Sequence, residues 1–230
     1  MSDADYALLS PDLERVPLER TQVLVEPDKV ITHCYFPESG IASIVALSAD
    51  GDRTEVGIFG REGVSGISFL LGSDRTSNET FMQVGDAEGL RIGVDRFGAA
   101  MDKSATLREI MLHYVHCMTV QMSASVVSNA RLQIEGRLAR WLLMCCDRSD
   151  TDDLRLTHEF MAIMIGAQRS GVTLALHVLE GIGTIRSARG VVTIANRDKL
   201  VELAGDSYGE AEAEYRRLIG PFGRPPPEDT

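Results

Sequence analysis

Between Leu156 and Ile194 the chain carries a set of side chains whose types and spacing suit recognition of DNA: Thr157, Gln168, Arg169, Ser170, Thr173, Arg186 and Arg189. Thr157, with Glu159 in the next turn, opens a helix, a hydroxyl cap followed by an acid facing the positive end of the dipole. Phe160, Ile163 and Met164 make one apolar face, and Gly166 supplies the left-handed residue that ends such a helix. A second helix opens at Gln168 or Arg169 and turns Val172, Leu176 and Leu179 inward at i, i+4 and i+7. Two short helices around a glycine-containing turn predict a helix-turn-helix. In that motif the first residues of the second helix meet base edges in the major groove. Arg169 can hold guanine O6 and N7 with both arms of its guanidinium, while Ser170 and Thr173 suit a base edge or a phosphate. Gly183 and Gly190 bracket two short β runs, Thr184–Ile185 and Val191–Ile194, with Arg186 and Arg189 between them, and this hairpin reads as a wing. Thr157 and Arg189 are placed to hold phosphates on either side. A winged helix that only packs against protein would share the helix spacing; the arginines of the wing favour DNA.

Other chemistries find little support. The cysteines are Cys34, Cys117, Cys145 and Cys146, with no C-x-x-C pair, and adjacent Cys145 and Cys146 do not readily bridge each other or chelate one metal. Free thiols are expected, although one exposed thiolate of the doublet could report oxidation. A cubane iron–sulfur cluster needs four thiolates and finds only Cys34 in the N-terminal part. His33, His113 and His116 are the candidate haem ligands, scattered as surface or packing histidines are. There is no phosphate loop of the G-x-x-x-x-G-K-[ST] type, no G-x-S-x-G elbow and no H-x-H pair for a metal oxygenase inside a β-roll. The chain is therefore read as a non-enzyme with no predicted cofactor or metal, a jelly-roll metal enzyme being the remote alternative.

The elements that must position the site follow from periodicity. Short β-type runs occur at Glu19–Val25, Lys29–Phe36, Ile41–Leu47, Arg53–Phe59, Glu79–Val84 and Gly89–Val94, with Asp50-Gly51 marking a hairpin between the third and fourth. Strands this short with no helix between them predict an antiparallel sandwich or barrel. From Thr106 to Asp147 the chain is helical, with Gly136 marking where a second, shorter helix begins. Leu107, Met111, Val115, Met118, Met122 and Val126 form one stripe, spaced by four, four, three, four and four. So long an apolar face predicts a parallel partner helix and hence a homodimer.

The net charge of −11 argues against a protein that grips nucleic acid with its whole surface. Residues 152–204 hold six acids and six bases, a neutral segment in an acidic chain. No uncharged apolar run approaches the ~18–20 residues of a bilayer span, and MSDADYALLSPDLERVP lacks the order of a signal peptide. A cytoplasmic protein with no membrane contact is expected.

Over nearly its whole length the chain resembles the Crp/Fnr family of bacterial regulators. The likeness rests on Gly136-Arg137-Leu138-Ala139, Leu156-Thr157-x-Glu159-Phe160, Gly166, Arg169-Ser170-x-Val172-Thr173 and the Gly183–Ile194 wing, with Phe59-Gly60-Arg61-Glu62-Gly63 in the strand region. It implies an α+β architecture: an N-terminal antiparallel jelly roll of the cyclic-nucleotide-binding type (1–103), a long dimerisation helix with a hinge helix (104–149), a C-terminal winged helix-turn-helix (150–205) and a partly disordered tail (206–230). The implied function is sequence-specific transcription regulation by a homodimer on a pseudo-palindromic site, with double-stranded DNA and RNA polymerase as partners. Gly171 stands where the family often has Thr or Ser, and it presents no contact group. Members that bind cyclic AMP carry a Gly-Glu-Leu turn and an Arg-Ser or Arg-Thr pair. This chain has Ser65-Gly66-Ile67 and Asn78-Glu79-Thr80 in their places, and Glu79 would repel a phosphate if it pointed inward. The corresponding effector pocket would be formed by Gly66, Ile67, Arg75, Asn78, Glu79 and Thr80, Arg75 being the one nearby cation. An effector other than cyclic AMP is expected; a cyclic-nucleotide-responsive, redox-sensing or haem-sensing regulator is the alternative, and a member acting through protein contacts alone is a third reading.

Overall fold

The computed structural model describes residues 1–84 and 87–223. A short helix, α1 (Asp3–Leu9), is capped by Ser2 and Asp5 and leads into seven strands: β1 (Glu14–Leu18), β2 (Val23–Val25), β3 (His33–Pro37), β4 (Ile41–Leu47), β5 (Arg53–Phe59), β6 (Glu79–Val84) and β7 (Ala87–Gly93). One helical turn, α2 (Ile67–Leu70), interrupts them between β5 and β6. The strands form two antiparallel sheets, ordered β1-β7-β3 and β2-β6-β4-β5, with Leu18, Cys34, Ile44, Phe59, Met82 and Ile92 buried between them. This is the expected roll. The Asp-Gly hairpin forms as read, with Gly51 at φ +86°.

Two of the expected strands are displaced. The run Glu19–Val25 is broken at Thr21, which takes φ +68°, so β1 lies before it and β2 after it. The run from Lys29 is delayed to His33 because Asp28 turns left-handed at φ +59°. The backbones of Asp28 and Ile31 then bond to Thr76 and Asp74 instead of to a strand. Local β propensity does not register these turns.

Helix α3 (Val94–Lys103) is followed by α4 (Ala105–Arg131), whose first turn is capped by Ser104, and by α5 (Ile134–Asp147). The break is made by Leu132 and Gln133, both extended; Gly136 lies inside α5, where a Cβ would come within 3.0 Å of the Leu203 carbonyl. Helix α4 docks on the roll. Tyr114 donates to the Val64 carbonyl at 3.0 Å, and the Gln121 amide pairs with both backbone groups of Ile58 at 2.7 and 3.1 Å.

That docking corrects the predicted dimer stripe. Leu107, Val115 and Met118 are buried in the chain's own core, with Met111 and Met122 packed against it, and only Val126 is exposed, at 69%. The stripe is apolar because it closes the roll. By length and composition α4 also reaches a membrane span, which corrects the reading that no run approaches one; 28% of its most apolar 18-residue window is buried within the chain.

The C-terminal part holds β8 (Asp153–Arg155), α6 (His158–Met164), α7 (Arg169–Gly181), β9 (Ile185–Ala188), β10 (Val191–Ile194), α8 (Arg197–Ala204) and α9 (Glu210–Leu218). Its small sheet runs β8-β10-β9, so Asp153 opens a strand the sequence reading took for the end of an acidic turn. A second core joins the outer face of the four-stranded sheet (Ile41, Val45, Phe81) to α5, α6, α7 and α8. Residues 206–223, expected as tail, instead form α9 and a strap: Tyr215 donates to the Glu62 carbonyl at 2.8 Å, and the Phe222 ring lies 5.1 Å from the Arg148 guanidinium. The proline run at 225–227 lies outside the described residues.

Candidate nucleic-acid interface

Thr157 is the N-cap of α6 and accepts from the Phe160 amide at 3.2 Å. Helix α6 ends at Ile165-Gly166, with Gly166 at φ +59°. The turn is held from outside by Arg137 of α5, which donates to the Ile165 carbonyl at 3.2 Å. This arginine belongs to the Gly136–Ala139 motif, and its positioning role was not visible in the local pattern.

Helix α7 buries Val172, Ala175, Leu176 and Leu179. At about 100° per residue, the opposite pole is occupied by Ser170, Leu174 and His177, all exposed. Gln168, the N-cap, and Arg169, at the first helical position, are also exposed, with Arg169 about 110° round the helix from that pole, on the side of Thr173. Thr173 is less available. Its hydroxyl bonds the Arg169 carbonyl at 3.0 Å and His158 Nδ1 at 2.9 Å, tying α7 to the start of α6. Gly171 faces inward, since a Cβ there would lie 2.7 Å from Ile134 Cδ1 of α5. It is a packing position rather than a missing base contact.

The wing strands are longer on one side than expected. Arg186 lies within β9, and Arg189 occupies the tip at φ +47° next to Gly190 at φ +79°, a pairing that suits a two-residue hairpin turn. Both arginines are exposed. The sequence reading missed Leu174 and His177; the buried i, i+4, i+7 set already implied which positions lie opposite.

The expected effector residues separate into two groups. Gly66, Ile67, Asn78 and Thr80 line a cavity of ≈ 200 Å³ between the roll and α4, together with Ile44, Met118, Thr119 and Met122. Arg75 is exposed and paired with Asp74, and Glu79 pairs with Arg53; neither lines the cavity, which corrects both placements. Side chains alternate across a strand, so Glu79 faces away from the side shared by Asn78 and Thr80. The described lining holds hydroxyl, amide and apolar groups and no charged side chain.

The other sensor candidates do not converge. His33 bonds Thr32, and His116 bonds Glu214 at 3.2 Å. None of the three histidines lines the cavity, and among the described residues no three His, Cys, Asp or Glu side chains group as metal ligands. All four cysteines are buried, which removes the exposed thiolate suggested for Cys145-Cys146. Burial pushes the Cys34 thiol up to about 12 and that of Cys145 well above its usual range.

The family of Crp-like helix-turn-helix domains matches residues 136–203. No protein of curated function matches the chain by sequence. Among solved structures, FixK2 from Bradyrhizobium japonicum is 15% identical, with 84% of this chain and 98% of that chain covered and a TM-score of 0.70. TTHB099, a transcriptional regulator of the CRP family from Thermus thermophilus, is 21% identical over 84% and 97% of the two chains, with a TM-score of 0.66. CLP from Xanthomonas campestris, described as a c-di-GMP-responsive global regulator, is 17% identical over 84% and 99%, with a TM-score of 0.66. Residues 136–203 therefore match the family of Crp-like helix-turn-helix domains, and the chain has the fold of solved regulators of the Crp/Fnr family.

Proposed function

We propose that this chain regulates transcription as a cytoplasmic homodimer, inserting two copies of α7 into successive major grooves of a pseudo-palindromic site. The observation that carries this reading is the outward pole of α7, with Arg169 exposed beside Ser170 at the start of the helix. Arg169 reads a guanine, Gln168 and Ser170 take neighbouring groups, and Thr157, Arg186 and Arg189 hold phosphates. Thr173 positions α7 through His158. Selection of sites from random duplex DNA with the full chain tests the reading: wild type should enrich a two-fold repeated half-site and Arg169→Ala should not. Failure to enrich any half-site would sink it.

The dimer is supported by a stripe of α4 other than the predicted one. Glu109, Leu112, His116, Thr119, Ser123, Val126 and Ala130 are exposed and alternate by three and four, the seam spacing of a coiled coil, with small Thr119 and Ser123 at its middle. A second copy would cover this face. We divide the chain accordingly into a sensor roll (1–103), the dimer and hinge helices (104–149) and the reading module (150–205), with 206–223 strapping α4 to the roll. RNA polymerase is the further partner the regulatory role calls for, and no catalytic role is assigned.

For the effector, the uncharged lining of the ≈ 200 Å³ cavity favours a small neutral ligand over a cyclic phosphate, whose charge would need a cation. Calorimetric titration with cyclic AMP should give no heat; saturable binding would overturn this part alone.

A further inference from the structure

Leu174 is 63% exposed and lies one turn after Ser170 and one turn before His177, at the pole of α7 farthest from its buried face. Among the described residues Leu174 belongs to neither buried core. The buried face is made by Val172, Ala175, Leu176 and Leu179, and Leu174 is not part of it. Val178 and Ile182 are also exposed apolar residues, but helical geometry rotates them toward the flank of Gly171 and away from Ser170. Leu174 is the exposed large apolar residue that shares the pole with Ser170 at the start of α7.

The edges of base pairs in the major groove offer donors and acceptors, with one apolar group, the C5-methyl of thymine. A leucine on a pole that faces the groove has one chemically matched target. Resting on the reading of α7 as the groove helix, we propose that Leu174 recognises a thymine C5-methyl in each half-site. Specificity would then combine a polar contact from Arg169 with an apolar one about one and a half turns further along the helix. Leu174 would reject cytosine at that position by leaving its exocyclic amine against a hydrocarbon, with no partner.

The test uses the full chain and the half-site obtained by selection. Each thymine is replaced in turn by deoxyuridine, which removes the methyl and leaves every hydrogen-bonding group in place. Wild type should lose about fourfold in affinity at one thymine per half-site, the effect of withdrawing one buried methyl, and about fifteenfold when both half-sites are changed. Leu174→Ala should bind the uridine and thymine sites within about twofold of each other, with an unchanged melting temperature because the residue is exposed. Two results would overturn the proposal: no thymine sensitive to its methyl, or the same sensitivity in Leu174→Ala. A change in sedimentation of Leu174→Ala with its methyl sensitivity intact would make Leu174 a protein contact instead. Absence of any selected half-site would remove the DNA reading itself, whereas a selected but methyl-insensitive half-site removes only the role of Leu174.

Discussion

The indole Nε1 of Trp141 donates to Oε1 of Glu55 at 2.8 Å, joining the hinge helix α5 to strand β5 of the roll in a site buried from solvent. The other carboxyl oxygen of Glu55 lies 2.8 Å from Ser43 Oγ, which itself lies 2.5 Å from Gln83 Oε1. One hydroxyl proton cannot serve both acceptors. The network closes if Glu55 is protonated and donates to Ser43, whose own proton goes to Gln83. Burial accounts for this by pushing the Glu55 carboxyl up from 4.5 to about 8, against the opposing pull of Ser43, Trp141, Arg140 and Arg148. The contact between the roll and the hinge helix thus contains a neutral acid.

Stability should therefore fall with rising pH. The unfolded chain releases this proton near 4.5 while the folded chain keeps it to about 8, so the contribution is complete below 4.5, declines between the two values and is gone above about 8. The change should amount to a few kcal/mol. Glu55→Gln preserves a donor and an acceptor without a charge, so denaturant unfolding of that variant should show a flat profile across the same window. An identical slope in wild type and variant would refute the assignment.

Arg169→Ala should leave the melting temperature almost unchanged, because the side chain is exposed. Discrimination at one base pair of the half-site should drop by about 1–3 kcal/mol, read by competition binding with single-base variants.

Glu62 and Arg148 form an ion pair at 2.7 Å with little solvent access. Glu62→Gln removes the carboxylate bonded to the buried guanidinium and leaves the more distant charges of Glu212 and Asp147, so unfolding should become easier by roughly 1–3 kcal/mol. Since Arg148 also meets Phe222, the same variant should loosen the C-terminal strap, measurable as faster amide exchange in α9.

Val126→Glu tests the seam on α4. Val126 is exposed within a single chain, so the fold should persist, while equal charges brought together across a two-fold interface should shift sedimentation toward monomer. Val115→Ala, on the predicted stripe, should instead lower thermal stability by about 1–3 kcal/mol with no change in assembly.

Gly171→Ala should not alter which site is selected, because the new methyl points at Ile134. The close approach is to the mobile end of an isoleucine, and the gain in helix propensity is about 1 kcal/mol, so stability should hold or rise. Gly171→Leu should destabilise by forcing α7 off α5, by about 1–3 kcal/mol in a denaturant titration.

Features set by short-range chemistry were legible in the sequence. The Asp50-Gly51 hairpin, the caps of α6, the inward set on α7 and the arginine-bearing wing each depend on residues within a few positions of one another, so spacing alone carries them. The turns at Thr21 and Asp28 were not, because their partners, Met82 and Thr76, are distant in the chain. The direction of a side chain also escaped where two surfaces compete for it. Periodicity identified an apolar stripe on α4 and could not say that the roll, rather than a second copy, covers Leu107, Val115 and Met118. For the same reason Gly171 reads as a missing contact until α5 is seen beside it, and Glu79 reads as facing a ligand until Arg53 is found on the other face of the sheet. Local spacing was enough to build two helices and a wing with Arg169 at the start of the second helix. The packing of distant elements did the rest: it set Leu174 beside Ser170 at the exposed pole, held Thr173 against His158, and linked the hinge helix to the roll through a buried neutral Glu55. Each of these depends on which remote segment fills the adjoining space, and no short stretch of chain encodes that.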